Sequence, residues 1–207
     1  MRVGVLALQG DFREHIAALS AVGVEAIAVK TAAEINSVNA LVLPGGESTT
    51  IAKLARIFNV FDLIKEKIKD GFPVYGSCAG LILLSDRILD GIEGQETFGG
   101  LDITSRRNAF GRQVDSFEGE IEFAGLGKLN GVFIRAPWVE QVGSGVEVLA
   151  TSHGHPVAVR QGNILATSFH PELTENHAVH RYFVEEICKA RQYSRIEFQK
   201  NCRLSSE

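Results

Sequence analysis

Short apolar runs that end in glycine-rich corners constrain this chain more than any other feature. Val3-Gly4-Val5-Leu6-Ala7-Leu8 is nearly continuous and rich in branched residues, as expected of a strand buried on both faces of a parallel sheet. Helical spacing follows at Phe12, His15, Ile16, Leu19 and Val22, with Asp11 and Glu14 placed to cap the helix and Gly23 to stop it. Val24 to Val29 and Ala40-Leu41-Val42-Leu43 read as the next strands, the latter cut off by Pro44-Gly45-Gly46. Two covering helices are expected, one from Glu47-Ser48-Thr49-Thr50 through Ile51, Leu54 and Ile57, the other over Val60 to Ile68. Phe72 to Gly76 is a further core strand and Ala79 to Leu84 a buried helix, which leaves Cys78 at the corner between them. The alternation predicts an open three-layer α/β fold, flavodoxin-like, with a central mixed, mostly parallel sheet and helices on both faces. Ligands of such folds bind at the C-terminal ends of the strands.

From Phe98 to Phe169 the pattern changes to short alternating segments, among them Glu120 to Phe123, Gly131 to Ile134, Val146 to Leu149, Val157 to Val159 and Ile164 to Ala166. These predict antiparallel strands that extend or flank the sheet. A closing helix from Glu175 to about Ala190 carries Val179, Phe183, Val184 and Ile187 inward. The 207 residues thus suit one domain, 1–190, followed by a polar tail, 191–207, read as a frayed extension. With 45% hydrophobic and 22% charged residues, the composition excludes a disordered or fibrous chain. A formal net charge of -4 offers no general attraction to nucleic acid or anionic membrane. No run approaches the roughly 18 apolar residues of a membrane span, and the apolar stretch after Arg2 is too short for a secretion signal. The three cysteines, Cys78, Cys188 and Cys202, lack paired spacing, which suits a reducing, cytoplasmic setting better than a disulfide framework or zinc cluster.

Gly76-Ser77-Cys78-Ala79-Gly80 is the thiol form of the strand-to-helix corner that lifts a nucleophile out of a sheet. The corner strains the central residue, and glycine two positions before and after leaves room where strand and helix crowd. The start of the helix also favours a thiolate. Taken alone, the motif is as compatible with a buried structural cysteine. Ser168-Phe169-His170-Pro171-Glu172 shifts the balance: in an extended segment His170 and Glu172 face one side, supplying a base and a carboxylate to orient it. Paired glycines after a strand, Gly45 and Gly46, can turn N–H groups toward an anion, and with the N–H of Ala79 would make an oxyanion hole. His153 and His155 lack further metal ligands at suitable spacing, and His177 and His180 read as a solvated helical pair. Cys188 reads as core, Cys202 as a tail residue and Trp138 as packing.

Together these residues resemble the triad-type, class I glutamine amidotransferases, and among them the glutaminase subunits of pyridoxal 5'-phosphate synthases. Pro44-Gly45-Gly46, the Cys78 corner and His170-Pro171-Glu172 carry the general likeness. The narrower one rests on Gly4 to Gly10, Gly45 to Thr50, Arg107 to Gln113 and Phe133 to Pro137. The resemblance implies Cys78 as nucleophile, His170 as general base and acid, and Glu172 as orienting carboxylate. It also implies L-glutamine bound by Gly46, Glu47, Ser48, Arg107, Ile134 and Arg135, with Gly46 and Ala79 as the oxyanion hole. Arg107 and Glu47 supply charges that a zwitterionic amino acid needs, without the sequence saying which meets which group; a plain surface ion pair is the alternative. No metal or cofactor is called for. The implied partner is a (β/α)₈-barrel synthase subunit in a large hetero-oligomer, whose docking completes the oxyanion hole near Gly45 and Gly46. Rival readings are a glutaminase for another synthase, such as that of the imidazole glycerol phosphate pathway, a cysteine peptidase or stress-protein relative, and a binding module with a structural Cys78. In the peptidase-type group the corner cysteine is often followed by its histidine, whereas Ala79 follows Cys78 here.

Overall fold

The computed structural model describes residues 1–109 and 116–189. The expected tail 191–207, Cys202 and Phe110 to Gln113 lie outside the described residues. Strand β1 (Arg2–Leu6) leads through α1 (Phe12–Ala21) to β2 (Glu25–Val29), then α2 (Ala32–Asn36), β3 (Ala40–Leu43), α3 (Ser48–Ile57), α4 (Phe61–Lys69), β4 (Val74–Ser77) and α5 (Ala79–Leu84). The second half holds β5 (Ser85–Leu89), β6 (Leu101–Arg106), β7 (Ser116–Phe123), β8 (Gly127–Ile134), β9 (Trp138–Val142), β10 (Glu147–Ser152), β11 (His155–Gln161) and β12 (Ile164–Thr167). A single 3₁₀ turn, Pro171–Leu173, then precedes α6 (Ala178–Tyr182), which runs on as wider π-type turns over Phe183–Lys189.

The central sheet has seven strands in the order β10-β11-β12-β4-β3-β1-β2. From β2 to β12 all neighbours are parallel, and β11 and β10 add an antiparallel edge. The mixed, mostly parallel sheet is therefore as expected. The segment Ile164 to Ala166, read as antiparallel, is so only toward β11; toward β4 it runs parallel and completes the core. Beside the main sheet lie a three-stranded sheet, β5-β6-β9, and the hairpin β7-β8.

Strand alternation sorts the core into two layers. Leu41, Leu43, Val74 and Ala166 enter one apolar cluster with Ile51, Ile64 and Leu81 of the helices on that side. Ala40, Val42, Tyr75 and Leu165 enter the other, with Leu19, Val179 and Phe183. Period-two side chains in a doubly covered strand must feed both faces, which is why these strands read as unbroken apolar runs.

Two local expectations are corrected, and one short helix is added to them. Asp11 precedes α1 but its side chain makes no capping bond, because the carboxylate turns toward His170 instead. The closing helix starts at Ala178 rather than Glu175, since Asn176 Oδ1 accepts the Ala178 N–H and Thr174 bonds back to Pro171, fixing a turn before it. The added helix, α2, opens on a reciprocal capping box of Thr31 and Glu34.

Candidate active site

Cys78 follows β4 with φ 49 and ψ -98, a left-handed backbone costing of order 1–3 kcal/mol for a residue with a side chain. The flanking glycines make it possible. A Cβ on Gly76 would stand 2.5 Å from the Gly80 carbonyl carbon, and one on Gly80 would run into the carbonyl oxygen of Leu43. Strand β4, helix α5 and the end of β3 thus touch backbone to backbone. The Cys78 N–H donates to Thr167 O (2.8 Å), which fastens the corner to the end of β12. Ala79 opens α5, and its N–H, among the first of the helix, has no acceptor within it.

β12 delivers the second component. His170 is almost wholly buried, and its N–H donates to Val132 O of β8 (2.8 Å). The expected extended His-Pro-Glu segment is a 3₁₀ turn instead. Glu172 still reaches back, with Oε1 2.7 Å from His170 Nδ1, because proline at the first turn position tightens the backbone. With Nδ1 spent on Glu172, Nε2 is the nitrogen left to meet the Cys78 thiol. Burial alone would lower the His170 pKa, but hydrogen bonds to Cys78 and Glu172 outweigh it and raise it. Burial likewise opposes charge on Glu172, yet His15 and His170 hold it well below the usual carboxylate range. The raised His170 and the depressed Glu172 together favour an imidazolium backed by a fixed carboxylate.

A second carboxylate approaches: Asp11 Oδ2 is 3.6 Å from His170 Nδ1, and its pKa is raised, chiefly by burial. Asp11, His170 and Glu172 are also, among the described residues, the cluster whose donor atoms come close enough for a cation, within 4.8 Å of one another. His170 Nδ1 is already in hydrogen-bond contact with Glu172, the arrangement of an acid–base pair.

The loop after β3 lies beside the thiol. Gly45 packs on the His170 ring, and its carbonyl accepts the Asp11 N–H (3.2 Å). Gly46 has φ 144, and Gln9 Oε1 accepts the Glu47 N–H at 2.8 Å. Glu47 Oε1 pairs with Arg107 at 2.9 Å, the carboxylate half exposed and the guanidinium nearly buried. Gln95 ties this pair to the next residue, accepting from Arg107 (3.1 Å) and donating to Ser48 Oγ (3.0 Å). Ile134, at the end of β8, brings its carbonyl to 3.8 Å from Cys78 Sγ, and Arg135 turns the chain with φ 44. The described residues thus bring Gly46, Glu47, Ser48 and Arg107 together, and Ile134 with Cys78.

The expectation of a solvated His177 and His180 fails. His180 is fully buried and meets His15 Nδ1 at 2.9 Å, and His177 Nδ1 is also buried. His155 is stacked on Trp138, ring centroids 3.7 Å apart. Cys188 is core, its thiol pushed up to about 12 by burial. His15, Ser77, Gln9 and Gln95 are site neighbours that no spacing rule marks. Their contacts with one another, with His180 and with Glu47 and Ser48 cross 38 to 165 residues of chain.

A cysteine on such a strand-to-helix corner, with a histidine and a carboxylate just past the end of the neighbouring parallel strand, is the arrangement of the class I glutamine amidotransferases, and similar structures agree. A crystal structure of a glutamine amidotransferase matches it with a TM-score of 0.85 and 51% identity, over 90% of this chain and 98% of the other. A glutamine amidotransferase from Thermotoga maritima, 15% identical, matches in fold with a TM-score of 0.59 over 92% of this chain and 85% of its own. More narrowly, residues 5–189 fit the model of the SNO glutamine amidotransferase family, and the chain belongs to that family. Among similar proteins are the pyridoxal 5'-phosphate synthase subunit PdxT of a Nocardioides species, 59% identical over 91% of this chain and 97% of the relative, and that of Mycobacteroides abscessus, 58% identical over 89% and 96%. No helix among the described residues is long and apolar enough to cross a membrane.

Proposed function

We propose that this chain is the glutaminase subunit of a pyridoxal 5'-phosphate synthase, with residues 1–190 as its catalytic domain. The observation that carries the reaction is the convergence of Cys78, His170 and Glu172 at the ends of adjacent strands, with His170 Nδ1 held 2.7 Å from Glu172. The thiolate of Cys78 adds to the side-chain carbonyl carbon of L-glutamine. The oxyanion that forms is received by the N–H groups of Gly46 and Ala79. The carbon–nitrogen bond breaks, the nitrogen takes the proton from His170, and ammonia departs, leaving a glutamyl thioester. Water, deprotonated by His170, then releases glutamate and restores the thiol.

Glu47 and Arg107 supply opposite charges for the amino acid's own ammonium and carboxylate, together with Gly46, Ser48, Ile134 and Arg135. The two charges pair with each other at 2.9 Å, so bound glutamine exchanges that ion pair for two of its own. The partner is a (β/α)₈-barrel synthase subunit in a large hetero-oligomer in the cytoplasm. The relatives named as synthase subunits, at 58–59% identity, support that choice over other synthases. Docking near Gly45 acts on the peptide that carries the Gly46 N–H, whose carbonyl end is tied to Asp11.

The test is ammonia release from glutamine by the chain and by Cys78→Ala, each with and without a pyridoxal 5'-phosphate synthase barrel. Release that depends on the barrel and vanishes in Cys78→Ala is expected. Release indifferent to that barrel reassigns the partner, and no release in any combination overturns the enzymatic reading.

A further inference from the structure

The three residues of the proposed mechanism leave a buried polar cluster behind them without a role. His15, from α1, is fully buried. Its Nε2 lies 2.9 Å from Ser77 Oγ and 3.3 Å from Glu172 Oε1, and the Ser77 hydroxyl is 3.5 Å from the same oxygen. Oε1 therefore receives His170 from one side and His15 with Ser77 from the other. The second oxygen, Oε2, is buried with no hydrogen-bond partner. A purely structural carboxylate would distribute donors over both oxygens. Here they converge on the one that faces the imidazole.

Proton positions follow from this contact. An ionised Glu172 only accepts, so His170 Nδ1 and His15 Nε2 must both carry hydrogen. On its other side His15 Nδ1 meets His180 Nε2 at 2.9 Å, and His180 Nδ1 is buried without a partner. Burial, with His15 beside it, holds His180 down to about 3, which keeps it neutral. One chain of polar contacts thus runs from α6 through His15 and Glu172 to His170.

We propose that His15 is a positioning residue of this glutaminase: its Nε2–H, with the Ser77 hydroxyl, holds the Glu172 carboxylate against His170, so that Cys78, His170, Glu172 and His15 act as one relay. The inference rests on the glutaminase reading above. Without His15 a carboxylate shut away from water would keep one strong donor, and burial would favour its taking up a proton. The ionisable and charged groups that face His15 are Glu172 from the 3₁₀ turn, His180 from α6 with His177 beyond it, Tyr75 from β4, and Asp11 at the start of its own helix.

The experiment uses His15→Leu, His15→Gln and Ser77→Ala. Ammonia release in the presence of the barrel subunit gives kcat and KM against pH, and alkylation of Cys78 by iodoacetamide in the chain alone gives a second pH profile. For His15→Leu we expect kcat down about 10–100-fold, as for other lost orienting partners, with KM little changed. Both acid limbs should move to higher pH, because Glu172 would protonate sooner. His15→Gln, whose side-chain amide can donate near the former Nε2, should recover much of the rate, and Ser77→Ala should fall between. A folded His15→Leu with wild-type kcat and unmoved profiles overturns the proposal, and so does a loss that His15→Gln shares with no shift in either profile. Should His15→Leu not fold, Ser77→Ala decides by the same criteria. If the wild type releases no ammonia the glutaminase reading fails, while the alkylation profiles still decide whether His15 acts on the Cys78–His170 pair.

Discussion

Gly76→Ala tests whether the corner that presents Cys78 is held by backbone contact. The new Cβ would lie 2.5 Å from the Gly80 carbonyl carbon, 2.6 Å from its oxygen and 2.7 Å from Leu84 Cδ1, against 3.4 Å for ordinary contact. Leu84 could turn away, but the Gly80 backbone cannot, so β4 and α5 must part by about 0.9 Å. Overpacking of this kind costs about 1–3 kcal/mol, and in a chain of this size each kcal/mol lowers Tm by about 2–4 °C. Displacing the thiol by about 1 Å from its base costs on the order of 100-fold in rate. Thermal unfolding and barrel-stimulated ammonia release should therefore fall together. Gly119→Ala is the control, since its Cβ would meet only Phe117 at 3.8 Å on an exposed strand; it should leave both unchanged. A Gly76→Ala chain with wild-type Tm and rate would refute the reasoning, because the clash with the Gly80 backbone has no side chain that can give way.

Stability should decline as pH falls below about 6.5. There the unfolded chain protonates His180 while the folded chain, with that group held near 3, does not, at up to about 1.4 kcal/mol per pH unit. Glu172 adds a further loss below its ordinary 4.5, since its depressed folded pKa stabilises only while it is ionised. His170 acts oppositely, its contribution being full below 6.5 and lost as pH rises through its raised folded value. Tm measured from pH 8 to 4 checks this, and His180→Gln should flatten the decline between 6.5 and 4.5. Arg107→Gln should raise KM for glutamine about 10–100-fold, as expected for a lost charge-assisted bond, with Tm nearly unchanged because Glu47 is half exposed. A fall in kcat at constant KM would instead assign Arg107 to the chemistry.

What the sequence makes legible here is whatever is local. Gly76, Cys78 and Gly80 announce the corner because the steric requirement spans five residues, and the apolar runs of β1, β3 and β4 announce a doubly covered sheet because each strand feeds both core layers. Thr31 and Glu34 are equally local, and their capping box marks the start of α2. By contrast β5, β6 and β9 have mixed burial, Ser85–Leu89 being half exposed, so they give no clean alternation and take their pairing from one another. His15 reads as an apolar-face helix residue and His180 as a solvated one, because periodicity reports which side of a helix faces inward and not what stands opposite. Their partners are settled by the sheet order: β4 lies between β3 and β12, which brings Ser77, the 3₁₀ turn and the inner faces of α1 and α6 to one end of the sheet. The same order explains why the site is assembled from segments so far apart. Cys78, His170 and the glycine loop each follow a different strand, and three adjacent parallel strands are what bring those ends within a hydrogen bond of one another.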